Sequence, residues 1–215
     1  MKFNFRVFIF LLFSVYSFCV FSQHDAKSKP ILDALSNIVK TYTSYKTEFV
    51  YALDNKEQKV SESKVGVLTV KGGKYKVDFA GQEVFCDGKN LWIYIKDANE
   101  VQIKDIPIGE DAITPISIFT IWQKGFKSKF IKEELYNRIT SQFIDLVPTK
   151  GKSYYKIRLI IDKAKKQVTS FTIYEKKGST ITYRVNKFTP NIQVNESIFT
   201  FNKANYPKVE EVDMR

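Results

Sequence analysis

The fold is decided by residues 66–103, which read GVLTVKGGKYKVDFAGQEVFCDGKNLWIYIKDANEVQI. Short apolar or alternating segments in this stretch are separated by turn signals, namely Gly72-Gly73, Gly81, Asp87-Gly88 and Asp97-Ala98-Asn99. Glycine, aspartate and asparagine between segments of period two are typical of tight connections between antiparallel strands. The stretch therefore predicts an antiparallel meander.

The sequence on either side of this stretch predicts one helix, before the strands, and further strands. Apolar residues at helical spacing predict an amphipathic helix over residues 31–42, and Pro30 suits its first turn. Residues 126–131 resemble a strand, although residues 131–138 carry a competing helical pattern. Roughly ten or eleven strands result, which predicts a mainly β protein built as a large curled sheet or an unclosed antiparallel barrel. The other predicted strands cover residues 48–53, 65–70, 143–147, 154–161, 167–174, 180–188 and 199–201.

A second, shorter helix is predicted over residues 115–122. Thr114 and Pro115 resemble an N-cap followed by proline at the first helical position. The helix is apolar on most sides, so something must cover it. Two interpretations are open: a buried core helix, or a lid over a cavity. The apolar residues concerned are Ile116, Ile118, Phe119, Ile121 and Trp122.

The N-terminus has the pattern of a secretory leader. Lys2 and Arg6 precede an apolar run over residues 7–21, and the sequence before Gln23 suits signal peptidase. We expect a signal peptide over residues 1–22 and one β domain over residues 23–215, located in the periplasm. Two alternatives are a retained membrane anchor and a lipoprotein acylated at Cys19.

The chain is basic. It has 34 Lys and Arg residues against 23 Asp and Glu residues, and without Lys2 and Arg6 the mature net charge is +9. The lysines are scattered, with the densest cluster, residues 163–166, at a predicted hairpin turn. No arginine-rich stripe with interleaved aromatic residues is present, so no nucleic-acid partner is expected.

Residues for catalysis are scarce. The single histidine, His24, lies at the extreme mature N-terminus, which argues against a histidine-dependent triad. Cys86 is the only cysteine beyond the leader, and its apolar strand predicts a buried, inert thiol. No zinc spacing, phosphate-binding glycine loop or nucleophile elbow is present. We therefore predict a binding protein without catalytic residues, cofactor or metal.

Several ordered motifs carry a family resemblance. They are G-x-L-x-V-K-x-x-K-Y-x-V over residues 66–77, V-x-x-D-G-K-x-L-W-I-Y over residues 84–94, and E-V-Q-I over residues 100–103. I-x-L-x-I-D over residues 157–162 and a terminal F-x-F follow. Together the motifs resemble the LolA-type family of periplasmic lipoprotein carriers across essentially all of the mature chain.

The resemblance implies an unclosed barrel whose mouth is closed by helices and whose apolar cavity receives lipoprotein acyl chains. It also implies an inner-membrane lipoprotein-releasing transporter and an outer-membrane acceptor as partners, and a monomeric carrier. The family often has an Arg-Pro pair that holds the lid closed. Here the stretch is Lys71-Gly72-Gly73, so Lys71 is the candidate latch, although lysine cannot reproduce the planar fork of arginine.

Apolar residues on both faces of several strands suggest where a ligand would bind. One face is surplus unless the sheet encloses a core or a cavity, and an acyl chain gains about 0.8 kcal/mol for each buried methylene. Alternation does not say which face is inward, so Trp92 and Tyr94 oppose Leu91, Ile93 and Ile95 as candidates. The predicted cavity residues are Phe49, Tyr51, Leu68, Val70, Tyr75, Val77, Trp92 and Tyr94.

Other functions are compatible with the same fold, because fold does not determine function. One is a binder of another lipid or apolar ligand. Another is an envelope-stress sensor, and a third is an enzyme acting on an apolar ligand.

Overall fold

The computed structural model describes residues 25–106, 120–123 and 125–215. The predicted leader, its cleavage site and residues 115–119 of the predicted lid helix lie outside these ranges. In the described ranges, no helix is both long enough and apolar enough to cross a membrane.

One α-helix precedes the strands. It is α1, Ser28–Lys40, and it confirms the predicted amphipathic helix. Short 3-10 helices cover Ile121–Gln123, Glu196–Phe199 and Lys203–Asn205. The strands are β1 Ser44–Asn55, β2 Val60–Lys71, β3 Lys74–Phe79, β4 Gln82–Cys86, β5 Leu91–Ile95, β6 Glu100–Lys104, β7 Phe126–Tyr136, β8 Ile139–Pro148, β9 Tyr154–Asp162, β10 Gln167–Glu175, β11 Thr180–Pro190 and β12 Glu210–Asp213.

The strands form one 12-stranded sheet in the order β12-β6-β5-β4-β3-β2-β1-β11-β10-β9-β8-β7. Neighbours are antiparallel except β12, which runs parallel to β6. The edge strands β7 and β12 do not pair with each other, so hydrogen bonds do not close the sheet. The predicted mainly β, unclosed antiparallel architecture is confirmed. Because β1 pairs with both β2 and β11, early and late parts of the chain meet at the centre of the sheet.

One local prediction was wrong, and one open alternative is resolved. The predicted strand over residues 199–201 does not form: Phe199 ends a 3-10 helix that begins where the Asn195 side chain accepts a hydrogen bond from the Ser197 N–H, and residues 200 and 201 lie in no strand. Phe199 is fully buried there. The competing helical pattern over residues 131–138 is overridden, because β7 runs through residues 126–136. A register shift between Phe130 and Lys132 interrupts the alternation and explains the ambiguous pattern.

Helix α1 lies on one face of the sheet, called the inner face below. The Asp25 carboxylate accepts hydrogen bonds from the N–H groups of Lys27 (3.0 Å) and Ser28 (2.6 Å) and from the N–H of Phe130 on β7. Burial raises the pKa of Asp25, but these hydrogen bonds outweigh burial and hold the pKa below its usual value. Asp25 therefore fixes the start of α1 to edge strand β7, while three residues separate the end of α1 from central strand β1.

The first part of α1 covers strands β7–β9, and we call this region the covered half. Leu32 and Leu35 of α1 pack there with Trp122, whose indole N–H donates to the Ser36 hydroxyl oxygen over 3.0 Å. Such dense apolar packing contributes most of the stability of a domain of this size. The buried residues of β7–β9 beneath are Phe126, Ile144, Leu146, Tyr154, Ile157, Leu159 and Ile161, and Val168 of the neighbouring β10 packs with them.

Candidate functional site: an apolar cavity beside the helix

A cavity of about 330 Å³ lies between the later part of α1 and the inner face of strands β1–β3, β10 and β11. We call this region the open half. Its walls are almost wholly apolar, with a few polar side chains. The lining residues are Leu35, Ile38, Val39, Tyr42, Thr47, Phe49, Leu68, Val77, Phe79, Lys166, Gln167, Val168, Phe171, Ile173, Tyr183, Val185 and Phe188.

Strand register places the lining residues on one face. Thr47 of β1 pairs with Leu68 of β2, and Leu68 pairs in turn with Val77 of β3. Directly paired residues share a face, so the three form one row across the cavity wall. On the other side of β1, Thr47 pairs with Phe188 of β11, which continues the row.

Gly66 makes room for a ring in the wall. It pairs with Phe49, and a Cβ atom added at Gly66 would overlap the Phe49 ring. The absence of a side chain lets the ring lie over the backbone of β2. Gly66 therefore helps to set the position of Phe49 in the wall.

An aromatic cluster stiffens the same wall. Phe171 stacks on Tyr183 with ring centroids 4.6 Å apart, and Tyr183 contacts Phe49 at 5.9 Å. Tyr51 joins the cluster through Tyr183 and Phe79, at 5.3 and 5.2 Å. Burial, with a smaller contribution from Tyr51, raises the pKa of Tyr183, so its phenol stays neutral at physiological pH. This aromatic part of the wall is thus apolar and uncharged.

Thr47 supplies an unusual polar atom. Its hydroxyl oxygen is buried and has no hydrogen-bond partner among the described residues. A buried hydroxyl without a partner costs free energy, about 1–3 kcal/mol. Because Thr47 lines the cavity, its hydroxyl can bind a polar group on an otherwise apolar ligand.

Comparison with known protein families shows to which family the chain belongs. The model of the family described as outer membrane lipoprotein carrier protein LolA matches residues 40–202. The chain belongs to the LolA family. Its members are carriers or binders, which is consistent with binding of a lipid or a lipoprotein. No curated protein sequence matches the chain.

Several solved structures are similar to this chain. An uncharacterised conserved protein from Thermus thermophilus is 13% identical, with a TM-score of 0.58 over 86% of this chain and 98% of that chain. A putative outer membrane lipoprotein-sorting protein domain from Vibrio parahaemolyticus is 14% identical, with a TM-score of 0.46 over 82% and 97%. A LolA superfamily protein from Nitrosomonas europaea is 11% identical, with a TM-score of 0.42 over 80% and 96%. At these identities the Thermus protein shows the fold alone.

The structure separates the predicted cavity residues of this LolA-family chain into groups. Phe49, Leu68 and Val77 line the cavity, and Tyr51 adjoins it through its ring contacts. Val70 and Tyr75 share the inner face but are buried in a neighbouring cluster that includes Cys86, whose predicted burial is confirmed.

Trp92 and Tyr94 lie on the outer face. Ile93 pairs with Val84, which pairs with Val77, so Ile93 shares the inner face with the cavity wall. Its neighbours in β5, Trp92 and Tyr94, therefore point the other way. Tyr94 packs there against Tyr206 of the C-terminal segment, with ring centroids 4.4 Å apart.

The predicted lid and latch residues are also separated. Ile116, Ile118 and Phe119 lie outside the described residues, whereas Ile121 and Trp122 are buried in the covered half. Lys71 ends β2 on the surface, with its Nζ atom 2.6 Å from Oε1 of Glu196. Hydrogen bonds from Lys71 and Lys74 lower the pKa of Glu196 to about 2.

Sequence reasoning missed half of the wall. Helix α1 contributes Ile38, Val39 and Tyr42, and strands β10 and β11 contribute further lining residues. Alternation in β10 and β11 was visible, but the pairing that places β11 beside β1, with β10 next to it, joins distant parts of the chain. The missed residues of β10 and β11 are Val168, Phe171, Ile173, Tyr183, Val185 and Phe188, and Thr47 and Phe79 were missed as well.

Proposed function

We propose that the chain is a periplasmic carrier that binds lipoprotein acyl chains in the cavity of the open half. It takes them from the inner membrane to the outer membrane. The observation that carries this proposal is an apolar cavity, walled by early and late strands of the chain, in a member of the LolA family. The leader expected over residues 1–22 supports export to the periplasm.

The chemistry of the wall suits an acyl chain. Ligand pockets commonly have volumes of about 300–1,000 Å³, and this cavity, of about 330 Å³, lies at the small end of that range. Each buried methylene contributes about 0.8 kcal/mol without directional contacts. A carrier of this kind recognises what different lipoproteins share, the lipid, and not the protein attached to it.

Thr47 adds one directional contact to this apolar site. Its unpaired hydroxyl can donate a hydrogen bond to an ester carbonyl at the head of an acyl chain. Lysine and glutamine at the rim, Lys166 and Gln167, suit the polar part of the cargo. An inner-membrane lipoprotein-releasing transporter would supply the cargo, and an outer-membrane acceptor would receive it.

Probe displacement tests the proposal. A fluorescent fatty-acyl probe should bind residues 23–215 with one-to-one stoichiometry, and an acylated lipopeptide should displace it. The same peptide without its lipid should not. Equal displacement by both peptides, or no probe binding, would contradict acyl recognition.

A cavity-filling variant gives the matched control. Val185→Trp places a bulky ring in the wall and should abolish probe binding. Val65→Trp, at an exposed position on β2, should leave it unchanged. The proposal fails if both variants bind the probe as the wild type does.

A further inference from the structure

The tip of the hairpin formed by β7 and β8 is exposed and apolar. Leu135 is 73% exposed, and Tyr136 and Ile139 are exposed beside it. Tyr136 and Ile139 pair with each other, so they share a face, and Leu135 lies on the opposite face. The last pairing between β8 and β9 joins Ser141 to Asp162, so the tip projects beyond β9.

The projecting tip has a defined shape. Its two-residue turn, Asn137-Arg138, has φ angles of 50° and 66°, which fit the type I′ geometry that matches strand twist. The Tyr136 ring meets the Phe143 ring edge-on, with centroids 5.7 Å apart. The Lys132 ammonium lies over the same Phe143 ring, with Nζ 4.8 Å from its centroid. The apolar side chains are therefore presented on a rigid hairpin.

Basic residues flank the tip. The neighbouring turn between β9 and β10 is held beside it, because the Lys163 N–H donates to the Thr140 carbonyl over 3.0 Å. Asp162, the acidic residue of that turn, is buried and accepts hydrogen bonds from the N–H groups of Ala164 and Lys165. The acidic residues on the hairpin, Glu133 and Glu134, are paired with Lys163 and Lys132. Across the described ranges, no ion pair joins Arg138, Lys165 or Lys166 to an acidic residue.

The same end of the sheet borders the cavity. Gln167, the first residue of β10, and Lys166 before it lie at the same end of the sheet as the hairpin tip, and both line the cavity. A surface that engages the tip would therefore lie close to one end of the apolar space.

We propose that the β7–β8 tip docks the protein on an anionic lipid bilayer. Leu135, Tyr136 and Ile139 enter the boundary between headgroups and acyl chains, where apolar and tyrosine side chains are favoured. Arg138 and Lys165 contact the anionic headgroups. This inference goes beyond the proposed function, since docking does not require a filled cavity.

A lipid surface fits the shape of the tip better than a protein does. A narrow hairpin that is apolar on both faces has no flat face or groove to complement one protein surface. A bilayer surrounds an inserted tip on all sides and so covers both faces at once. The basic flanks complement anionic headgroups, and this attraction weakens as salt screens the charges.

Vesicle partitioning tests the inference with a matched pair of variants. Residues 23–215 should sediment with vesicles of phosphatidylcholine mixed with phosphatidylglycerol, and less with phosphatidylcholine alone. Leu135→Ser should lower the partition coefficient about tenfold, because part of the leucine transfer energy is lost. Val65→Ser should leave it unchanged, although Val65 on β2 is 74% exposed.

The flanking charges give a second readout. Arg138→Ala combined with Lys165→Ala should weaken binding to the anionic vesicles and reduce its dependence on salt. Leu135→Ser should bind the soluble acyl probe as the wild type does, which separates docking from cargo binding.

Three outcomes would overturn the inference. The first is a wild-type protein that does not bind the anionic vesicles. The second is an equal loss for Leu135→Ser and Val65→Ser. The third is binding to membrane vesicles that retain their proteins but not to pure lipid, which would assign the tip to a protein partner.

Discussion

The two halves of the inner face are built from the same kind of strand but are covered differently. In the covered half, Leu32, Leu35 and Trp122 fill the space above β7–β9 and leave buried side chains with near-zero exposure. In the open half, the later part of α1 stands over β1, β2 and β11 with about 330 Å³ of space beneath it. One face of one sheet thus provides both a packed core and a cavity.

The position of α1 explains the difference. Asp25 fixes its start at the edge strand β7, and the short connection to β1 fixes its end at the centre of the sheet. A 13-residue helix running between these points cannot cover both halves equally. Stability is therefore assigned mainly to the strands of the covered half and binding to those of the open half. This assignment can be tested.

The largest expected difference is between two leucine truncations. Leu159→Ala in the covered half should lower the free energy of unfolding by about 3–5 kcal/mol, because it leaves a void in a packed core. Leu68→Ala in the cavity wall should cost about 2 kcal/mol, because part of the side chain already borders space. Chemical denaturation of both variants measures the difference. Equal losses would show that the two halves are packed alike.

The tether of α1 should have a smaller effect. Asp25→Ala removes the acceptor for two N–H groups at the start of the helix and for one on β7, and should lower the unfolding free energy by about 0.5–2 kcal/mol. The wild-type and variant stabilities should differ at neutral pH. Their difference should shrink as pH falls through the folded-state pKa of Asp25, which lies below its usual value, because protonation removes the charged acceptor. A difference that persists in acid would contradict this role of the carboxylate.

Two truncations on opposite faces of the sheet test which face binds cargo. Val77→Ala, in the cavity wall on the inner face, should weaken acyl-probe binding, whereas Trp92→Ala, on the outer face, should leave it unchanged. Titration of both variants with the probe measures this directly. A loss of affinity in Trp92→Ala alone would reverse the assignment.

Thr47→Val should have the smallest effect on stability. The substitution keeps the side-chain shape and removes a buried hydroxyl that has no described partner, so stability should stay the same or rise by up to about 1 kcal/mol. Affinity for an ester-linked acyl probe should fall, while affinity for a hydrocarbon probe of the same length should not. Equal changes for the two probes would exclude a hydrogen bond from Thr47.

The sequence predicted the strands well because alternation and turn residues act locally. It failed where long-range contacts decide the outcome. β7 was ambiguous because its register shift at Ile131 breaks the alternation. β12 was missed because Glu210–Asp213 is short and mostly acidic, and only parallel pairing with β6 makes it a strand.

The candidate site was predictable only in part, for a similar reason. Phe49, Leu68 and Val77 were named because they lie on the motif strands, and they do line the cavity. Trp92 could not be distinguished from Ile93, since a single strand does not reveal which face meets the helix. Tyr183 was missed because it reaches the wall only through the pairing of β1 with β11, two strands that lie far apart in the sequence.

Photocrosslinking tests the central claim most directly, namely that the open half binds the acyl chain. An acylated peptide with a diazirine near the end of its acyl chain is bound to residues 23–215 and irradiated, and the labelled peptides are mapped by mass spectrometry. We expect labels in β1–β3, β10, β11 and the later part of α1, with none in β8 or β9, and loss of labelling in Val185→Trp. Labelling confined to β8 and β9, or labelling that Val185→Trp does not change, would contradict the account.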